Sequence, residues 1–320
     1  MSTVDVESLL RELEEQRRAR EAASIPTAFN VIAFVEDDPD LTALIRERIE
    51  QLEKRNPLRS ILLMTAKPGP VTMEHVELDV RNLAAPQLHS IVHDLIVPAV
   101  KTVMLWAGRD VTDPRFAALG SLADVIVTFT SRTATSEPKT LADLVAMQST
   151  PLGPKLRDLA FLRLGAWQDL VAEFFDDDEL LPELERLEHI DVYAGTRAEA
   201  YYFIGWLASR LNWQPCGKHE FCNAAGQSVD VTIKRKGPAR RLASVALKSK
   251  DVTFQAHVDE ANDEIVCLEV HDRRKRPKRC VPLNETDVVS LIERAIFLPP
   301  DNAIYGETLA MVGRLLQHLE

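Results

Sequence analysis

Three groups of residues carry side chains that could do chemistry. Cys216-Gly217-Lys218-His219-Glu220-Phe221-Cys222 places two thiols and an imidazole at C-x-x-H-x-x-C spacing. Such soft ligands could hold a metal ion, with Cys267, His271 or Cys280 as a fourth, although the spacing is not a standard zinc pattern. Cys216 and Cys222 could instead form a reversible disulfide, because Lys218 and His219 favour the thiolate. A loop with incidental cysteines is the third reading. The second group is basic. Residues 271–279 read H-D-R-R-K-R-P-K-R, and Lys234-Arg235-Lys236 and Arg240-Arg241 fall on the same expected sheet. With Arg273, Arg274 and Arg276 at its head, this patch suits a sugar phosphate, nucleic-acid phosphates or an acidic protein surface. No aromatic residue interleaves with the run, so stacking on single strands is not supported. A solvated hairpin tip is the alternative. The third is Arg163. On a helix over residues 158–176 it falls inside the apolar stripe of Leu156, Leu159, Ala160, Trp167, Leu170, Val171 and Phe174. A buried arginine must be paired, so Arg163 is either half of a structural ion pair or part of a site.

Other chemistry is missing. The first glycine is Gly69, and the first expected strand runs into Glu36-Asp37-Asp38-Pro39. A dinucleotide loop needs glycines so that backbone can approach a pyrophosphate, and acids there repel it. No G-x-x-x-x-G-K-[ST], G-x-S-x-G or H-E-x-x-H occurs. Trp106-Ala107-Gly108-Arg109 ends an apolar run, where parallel sheets carry ligands and partners. It is the candidate site of the first domain, and Trp106 is equally an ordinary lid on the core.

The elements that must position these groups read as α/β. Short apolar runs at 29–35, 61–64, 102–106 and 125–129 predict strands buried on both faces, with helices between them. Asp38-Pro39 and Asp113-Pro114 are helix starts. Residues 75–80 alternate as an edge strand with one wet face. This predicts a Rossmann-like, mainly parallel domain over 25–150, after a charged helix within 1–24. Residues 131–138 form a polar connector, with helices expected at 140–149 and 155–175. An α+β domain is expected over 151–320. In it, 176–188 is an acidic solvated run, and Thr196 and Glu199 form a capping box for a helix over 201–213. Residues 228–236, 243–250, 252–259 and 264–270 predict an antiparallel meander, its first turn at Lys236-Gly237-Pro238. Two closing helices start near Asn284 and Asp301.

The chain has 320 residues, 46% hydrophobic and 27% charged, with net charge −11. That charge argues against coating nucleic acid or an anionic membrane. No apolar run reaches membrane-spanning length, the charged start is no signal peptide, and the cysteines are too few for a disulfide framework. A cytoplasmic protein is the expectation.

Asp158, Leu159, Ala160, Phe161, Arg163 and Trp167, followed by Gly205, Trp206, Leu207, Ala208, Ser209 and Arg210, resemble the paired helices of the OpcA family, glucose-6-phosphate dehydrogenase assembly and effector proteins. Phe161 stands where that family often has Trp, and Gln168 where it often has Arg. Pro57 and Arg59, Pro98 and Trp106, and the stretch 300–305 resemble further family segments. The resemblance implies a non-catalytic protein without a cofactor that binds and activates glucose-6-phosphate dehydrogenase. Trp106, Arg109, Arg163, Trp167, Arg210, Arg273, Arg274 and Arg276 are then candidate partner contacts, and thiol redox control in some relatives favours a Cys216–Cys222 switch. The competing reading is a regulatory sugar-phosphate- or nucleic-acid-binding protein that uses the basic patch.

Overall fold

The computed structural model describes Arg11 and residues 27–36, 38–65, 75–108, 110–130, 137–235, 241–274, 276–283, 287–298 and 303–319. The helix expected within 1–24, most of the polar connector, the turn at 236–238, the caps Asn284 and Asp301, and Arg109 lie outside those residues. In chain order the elements are β1 (Phe29–Val35), α1 (Pro39–Arg55), β2 (Leu58–Met64), β3 (His75–Asp79), α2 (Ala85–Leu95), β4 (Lys101–Ala107), α3 (Pro114–Leu122), β5 (Val125–Thr128) and α4 (Glu137–Met147). There follow β6 (Leu156–Asp158), α5 (Leu159–Arg163), α6 (Gly165–Ala172), β7 (Leu187–Ala194), α7 (Arg197–Arg210), β8 (Gln214–Gly217), β9 (Glu220–Cys222) and β10 (Ser228–Arg235). The last are β11 (Leu242–Ser249), β12 (Thr253–Val258), β13 (Ile265–His271), β14 (Arg279–Pro282), α8 (Val288–Phe297) and α9 (Ala303–Leu319).

The chain gathers into two compact units. The first takes Met1–Phe129, Thr150–Arg157 and Val288–Pro300, the second Thr130–Ser149, Asp158–Asp287 and Asp301–Glu320. In the first, strands run in the order β3-β2-β1-β4-β5-β6, and β1 to β5 pair in parallel. Every residue of β1 is buried, as a strand covered on both faces requires. Helix α1 starts where Asp38 Oδ1 accepts from the Leu41 amide at 2.9 Å and Pro39 spends no donor. It buries Ile45, Ile49 and Leu52 along one face, each worth roughly 1.5–3 kcal/mol of transfer free energy. Asn30 is fully buried at the head of β1, and its amide spans Val97 and Thr102 with three hydrogen bonds of 2.9–3.1 Å.

The second unit holds a sheet of order β14-β13-β12-β11-β7-β10-β9-β8. Strands β11, β12 and β13 pair antiparallel as expected, and β14, a strand the sequence did not announce, adds to their edge. The first strand expected in the meander does not join them directly. β10 pairs with β7 in parallel, and β7 pairs on its other side with β11. The connection from β10 to β11 therefore crosses one strand, which no hairpin turn does. Behind the sheet, α7 and α9 pack where glycines let them meet. A Cβ on Gly205 would lie 2.8 Å from Val312 Cγ2 and 2.9 Å from the Thr308 carbonyl. The corresponding atom on Gly313 would lie 2.6 Å from Val145 Cγ1 of α4. No described helix is long and apolar enough to cross a membrane.

Candidate functional site

The basic run forms the tip of the β13–β14 hairpin, and it meets the acidic run of the same unit. Arg276 donates from Nη1 to Asp177 at 2.8 Å and from Nε to Asp272 at 2.8 Å, with Glu179 at 3.5 Å. Arg274 pairs with Glu179 and Arg273 with Asp251. Arg279 reaches Glu173 at 2.7 Å and Lys278 reaches Glu269 at 3.0 Å. Asp177 is held below the usual carboxylate range, first by the Glu179 amide and then by Arg276. Asp272 is held low chiefly by Arg276, whose own pKa its two carboxylates raise. The basic run, expected as a binding patch or a solvated tip, and the acidic run, expected to be solvated, thus neutralise one another. Between them opens a cleft of about 530 Å³ floored by Leu180 and Val252.

The residues 158–167 do not make one helix. Leu156–Asp158 is strand β6, so Leu156 leaves the expected stripe. Asp158 then caps α5 by accepting from the Ala160 amide at 2.8 Å and from Thr130 Oγ1 at 2.9 Å. At Leu164 the amide turns to Phe161 O at 3.0 Å, a three-residue step that ends α5 before Gly165 begins α6. Arg163 does sit inward, with its side chain 17% exposed, and donates to Glu199 Oε1 at 2.8 Å; that carboxylate is 1% exposed. The expected capping box is therefore absent. Thr196 stands at the N-cap without a side-chain cap bond, and Glu199 serves Arg163 instead. The Trp167 ring is buried. Phe161, Tyr202 and Tyr305 form an aromatic triangle with centroids 5.1–6.1 Å apart. Burial, and then the carboxylate of Asp158, push the Tyr202 phenol well above its ordinary value. Arg210 lies at the surface and pairs with Glu307.

At the carboxyl ends of the parallel strands, Trp106 is 2% exposed. It stacks on Phe34 at 4.2 Å, meets Phe116 edge-on at 5.1 Å, and closes under Gly108, whose added Cβ would lie 2.8 Å from the indole. The Arg115 guanidinium lies 4.8 Å over Phe34 and pairs with Asp113. Trp106 is thus part of the core, not a surface ring.

Cys216 and Cys222 are joined across the β8–β9 hairpin, with His219 at its tip in the left-handed region (φ 58°). Cys267 and Cys280, direct partners across β13 and β14, are joined as well. Sulfurs bonded to each other are not thiolate ligands. Among the described residues no group of His, Cys, Asp and Glu is set to hold a metal ion.

Two buried polar sites went unread in the sequence. Arg157, 2% exposed, donates to the carbonyls of Pro154 and Leu156. At the edge strand, the expected wet face is closed. Glu77 is 3% exposed and takes both Arg46 (2.7 and 3.1 Å) and His75 (3.2 Å). Ser60 Oγ lies 2.6 Å from both His75 Nδ1 and Glu53. The His75 pKa is raised, first by Glu53 and then by Glu77 against burial. A serine that is fully buried at the amino end of its strand has no access to a substrate, so the cluster is structural. Alternating acids and apolar residues over 75–79 give the only sequence signal for it.

Residues 154–309 match the family described as the C-terminal domain of the glucose-6-phosphate dehydrogenase subunit. A protein of Synechocystis sp. named OpcA, after the OxPP cycle, is 24% identical over 271 residues, covering 77% of this chain and 56% of its own length. The like-named protein of Nostoc punctiforme is 29% identical over 150 residues, 45% of this chain and 31% of that one. The chain spans about half the length, or less, of the curated relatives it matches. In fold it is similar to a 3-ketoreductase from Actinomadura kijaniata solved with NADP and TDP-benzene. The TM-score is 0.55 at 9% identity, over 90% of this chain and 96% of that one. The residues present here do not fit such a dinucleotide. Glu36 and Asp38 follow β1 where a phosphate loop needs glycine, and Trp106, at the end of β4, is packed on Phe34 in the core.

Proposed function

We propose that the chain is a member of the OpcA family and a non-catalytic effector that binds glucose-6-phosphate dehydrogenase, assists its assembly and raises its activity. The observation that carries this reading is the match of residues 154–309 to a domain described as belonging to a subunit of that dehydrogenase. The acids Glu36 and Asp38 after β1 support it, because a pyrophosphate is repelled where a dinucleotide loop needs glycine. The proposed setting is the cytoplasm, on the oxidative pentose phosphate route. The bridge between Cys216 and Cys222 is where thiol redox state would act on this role, and thiol trapping with and without reductant reads it. The competing reading, a sugar-phosphate or nucleic-acid binder using the hairpin tip, is disfavoured because each of Arg273, Arg274 and Arg276 is already paired with an acid.

The deciding experiment mixes the purified chain with the dehydrogenase of the same organism. A complex in native mass measurements and a rise in dehydrogenase kcat/KM are expected, with no turnover by the chain alone. Absence of both complex and rate change at micromolar concentrations refutes the proposal.

A further inference from the structure

We propose that, once its bridge is opened, the Cys267–Cys280 pair forms a site for zinc or a similar thiophilic divalent cation, completed by His257 and Asp259. The site is independent of the effector reading above and of the bridge between Cys216 and Cys222. Cys267 on β13 lies directly opposite Cys280 on β14, and on its other side it lies opposite His257 on β12. Residues directly opposite one another on neighbouring strands share a face of the sheet. The three side chains therefore stand in one row across three strands. Asp259, just past the end of β12, brings Oδ2 to 3.8 Å from the Cys267 Sγ. Its Oδ1 accepts from the amides of Ala261 and Asn262, which fixes the carboxylate with Oδ2 beside the sulfur. Two sulfurs, one imidazole and one carboxylate suit a tetrahedral zinc ion.

The dimensions fit. Zn–S and Zn–O distances of about 2.3 and 2.0 Å at the tetrahedral angle put sulfur and oxygen about 3.5 Å apart, and two sulfurs about 3.8 Å apart. The sulfur-to-oxygen distance here is 3.8 Å, and the two cysteine Cα atoms are 4.0 Å apart, so arms leaving the strands side by side hold unbonded sulfurs near that spacing. The imidazole is prepared as well. Among the described residues His257 Nδ1 is buried without a hydrogen-bond partner, while Nε2 lies 3.8 Å from Glu269. Ligating histidines are commonly held so, with one nitrogen bare and the other turned to a carboxylate. Cys267 is fully buried and Cys280 is exposed, so ion and reductant enter from the Cys280 side.

In the bridged chain each sulfur is bonded to the other, and no metal-holding group forms among the described residues. Reduction creates the site. The thiolate of an external dithiol attacks the exposed Sγ of Cys280, breaks its bond to Cys267 and forms a mixed disulfide, and Cys267 leaves as a thiolate that takes up a proton. The second thiol of the reductant then attacks the reductant's own sulfur in that mixed disulfide, so Cys280 is released and the reductant departs as a disulfide. Two electrons pass from dithiol to protein, and its two protons end on the two cysteines. Zinc binding displaces those protons. β14 is thus tied to β13 in both states, by a covalent bond when oxidised and by the ion when reduced.

The test uses the full chain, stripped of metal by a chelator, with and without a phosphine reductant. Cobalt(II) is titrated as the probe, and zinc is then added to displace it. The expected result is one equivalent of cobalt with a thiolate charge-transfer band in the reduced chain, lost on adding zinc, and no such band in the oxidised chain. Cys280→Ser and His257→Ala should weaken binding by about tenfold or more, and Cys216→Ser/Cys222→Ser should bind as wild type does. Cys280 is exposed, so its variant keeps the fold even if Cys267→Ser, in the core, does not. Absence of the band in reduced wild type overturns the site, as does binding by Cys280→Ser and His257→Ala within about twofold of wild type. A band lost in Cys216→Ser/Cys222→Ser but kept in Cys280→Ser also overturns it, by placing the ion at the β8–β9 hairpin.

Discussion

Replacing Arg163 with methionine separates an internal tie from a partner contact. Its guanidinium meets Glu199 at 2.8 Å, and the two side chains are 17% and 1% exposed. Removing the cation leaves a carboxylate inside the second unit without its main counter-charge. Breaking one half of a buried pair costs about 3–5 kcal/mol, and partial exposure of Arg163 puts this case near the lower figure. For units of 150–250 residues each kcal/mol moves Tm by about 2–4 °C, so a fall of roughly 6–12 °C is expected. Arg163→Met combined with Glu199→Met should recover most of that loss, because an apolar pair of similar volume is often no worse than a buried ion pair. Differential scanning calorimetry on the wild type, both single variants and the double variant measures it, and the coupling is read from the cycle. The reasoning is refuted if Arg163→Met melts with wild type, and more sharply if it also no longer activates the dehydrogenase.

Gly205→Ala should destabilise the second unit by about 1–3 kcal/mol, since the new methyl meets the Thr308 carbonyl, which is backbone and cannot rotate away; urea unfolding checks it. Trp106→Ala should cost the first unit about 3–5 kcal/mol by opening a cavity between Phe34 and Phe116, measured by the same means. The His75 cluster predicts a pH dependence. His75 has a raised folded pKa, so its contribution is full below the ordinary 6.5 and is lost as pH rises through the raised value. Burial pushes Glu53 up, but its bonds from His75 and Ser60 outweigh that and lower it. Its contribution is therefore present above the ordinary 4.5 and lost as pH falls through the lowered value. His75→Gln should flatten the decline in stability on the alkaline side of neutrality, and an unchanged slope there would count against the cluster.

The first unit was legible because its strands are buried on both faces. Runs such as 29–35 are apolar throughout, and their ends nearly coincide with the observed elements. The second unit was less so. Strand β7 alternates Ile190, Val192 and Ala194 against His189, Asp191 and Tyr193, a readable period of two. It follows directly on the acidic run, and without it β10 looks like the neighbour of β11. The break at Leu164 was hidden for another reason. The apolar spacing of residues 159–174 continues across it, and only the partners of Asp158 stop the helix from starting earlier.

What the candidate site needed was distance information. Arg276 and Asp177 stand 99 residues apart, and each lies in a run whose local reading is solvated charge. A like-charged run repels itself, so solvation is the correct local answer when nothing else is near. Folding brings the opposite run to it, and then the same residues form a neutral clamp with few exposed donors left over. Arg273 and Arg274, each in one surface pair, differ from Arg276 in the number of carboxylates within reach. Composition along the chain assigns all three the same role. Only the register of the β13–β14 tip against the acidic run divides them into one residue that holds the tip through three carboxylates and two that each make a single exposed pair.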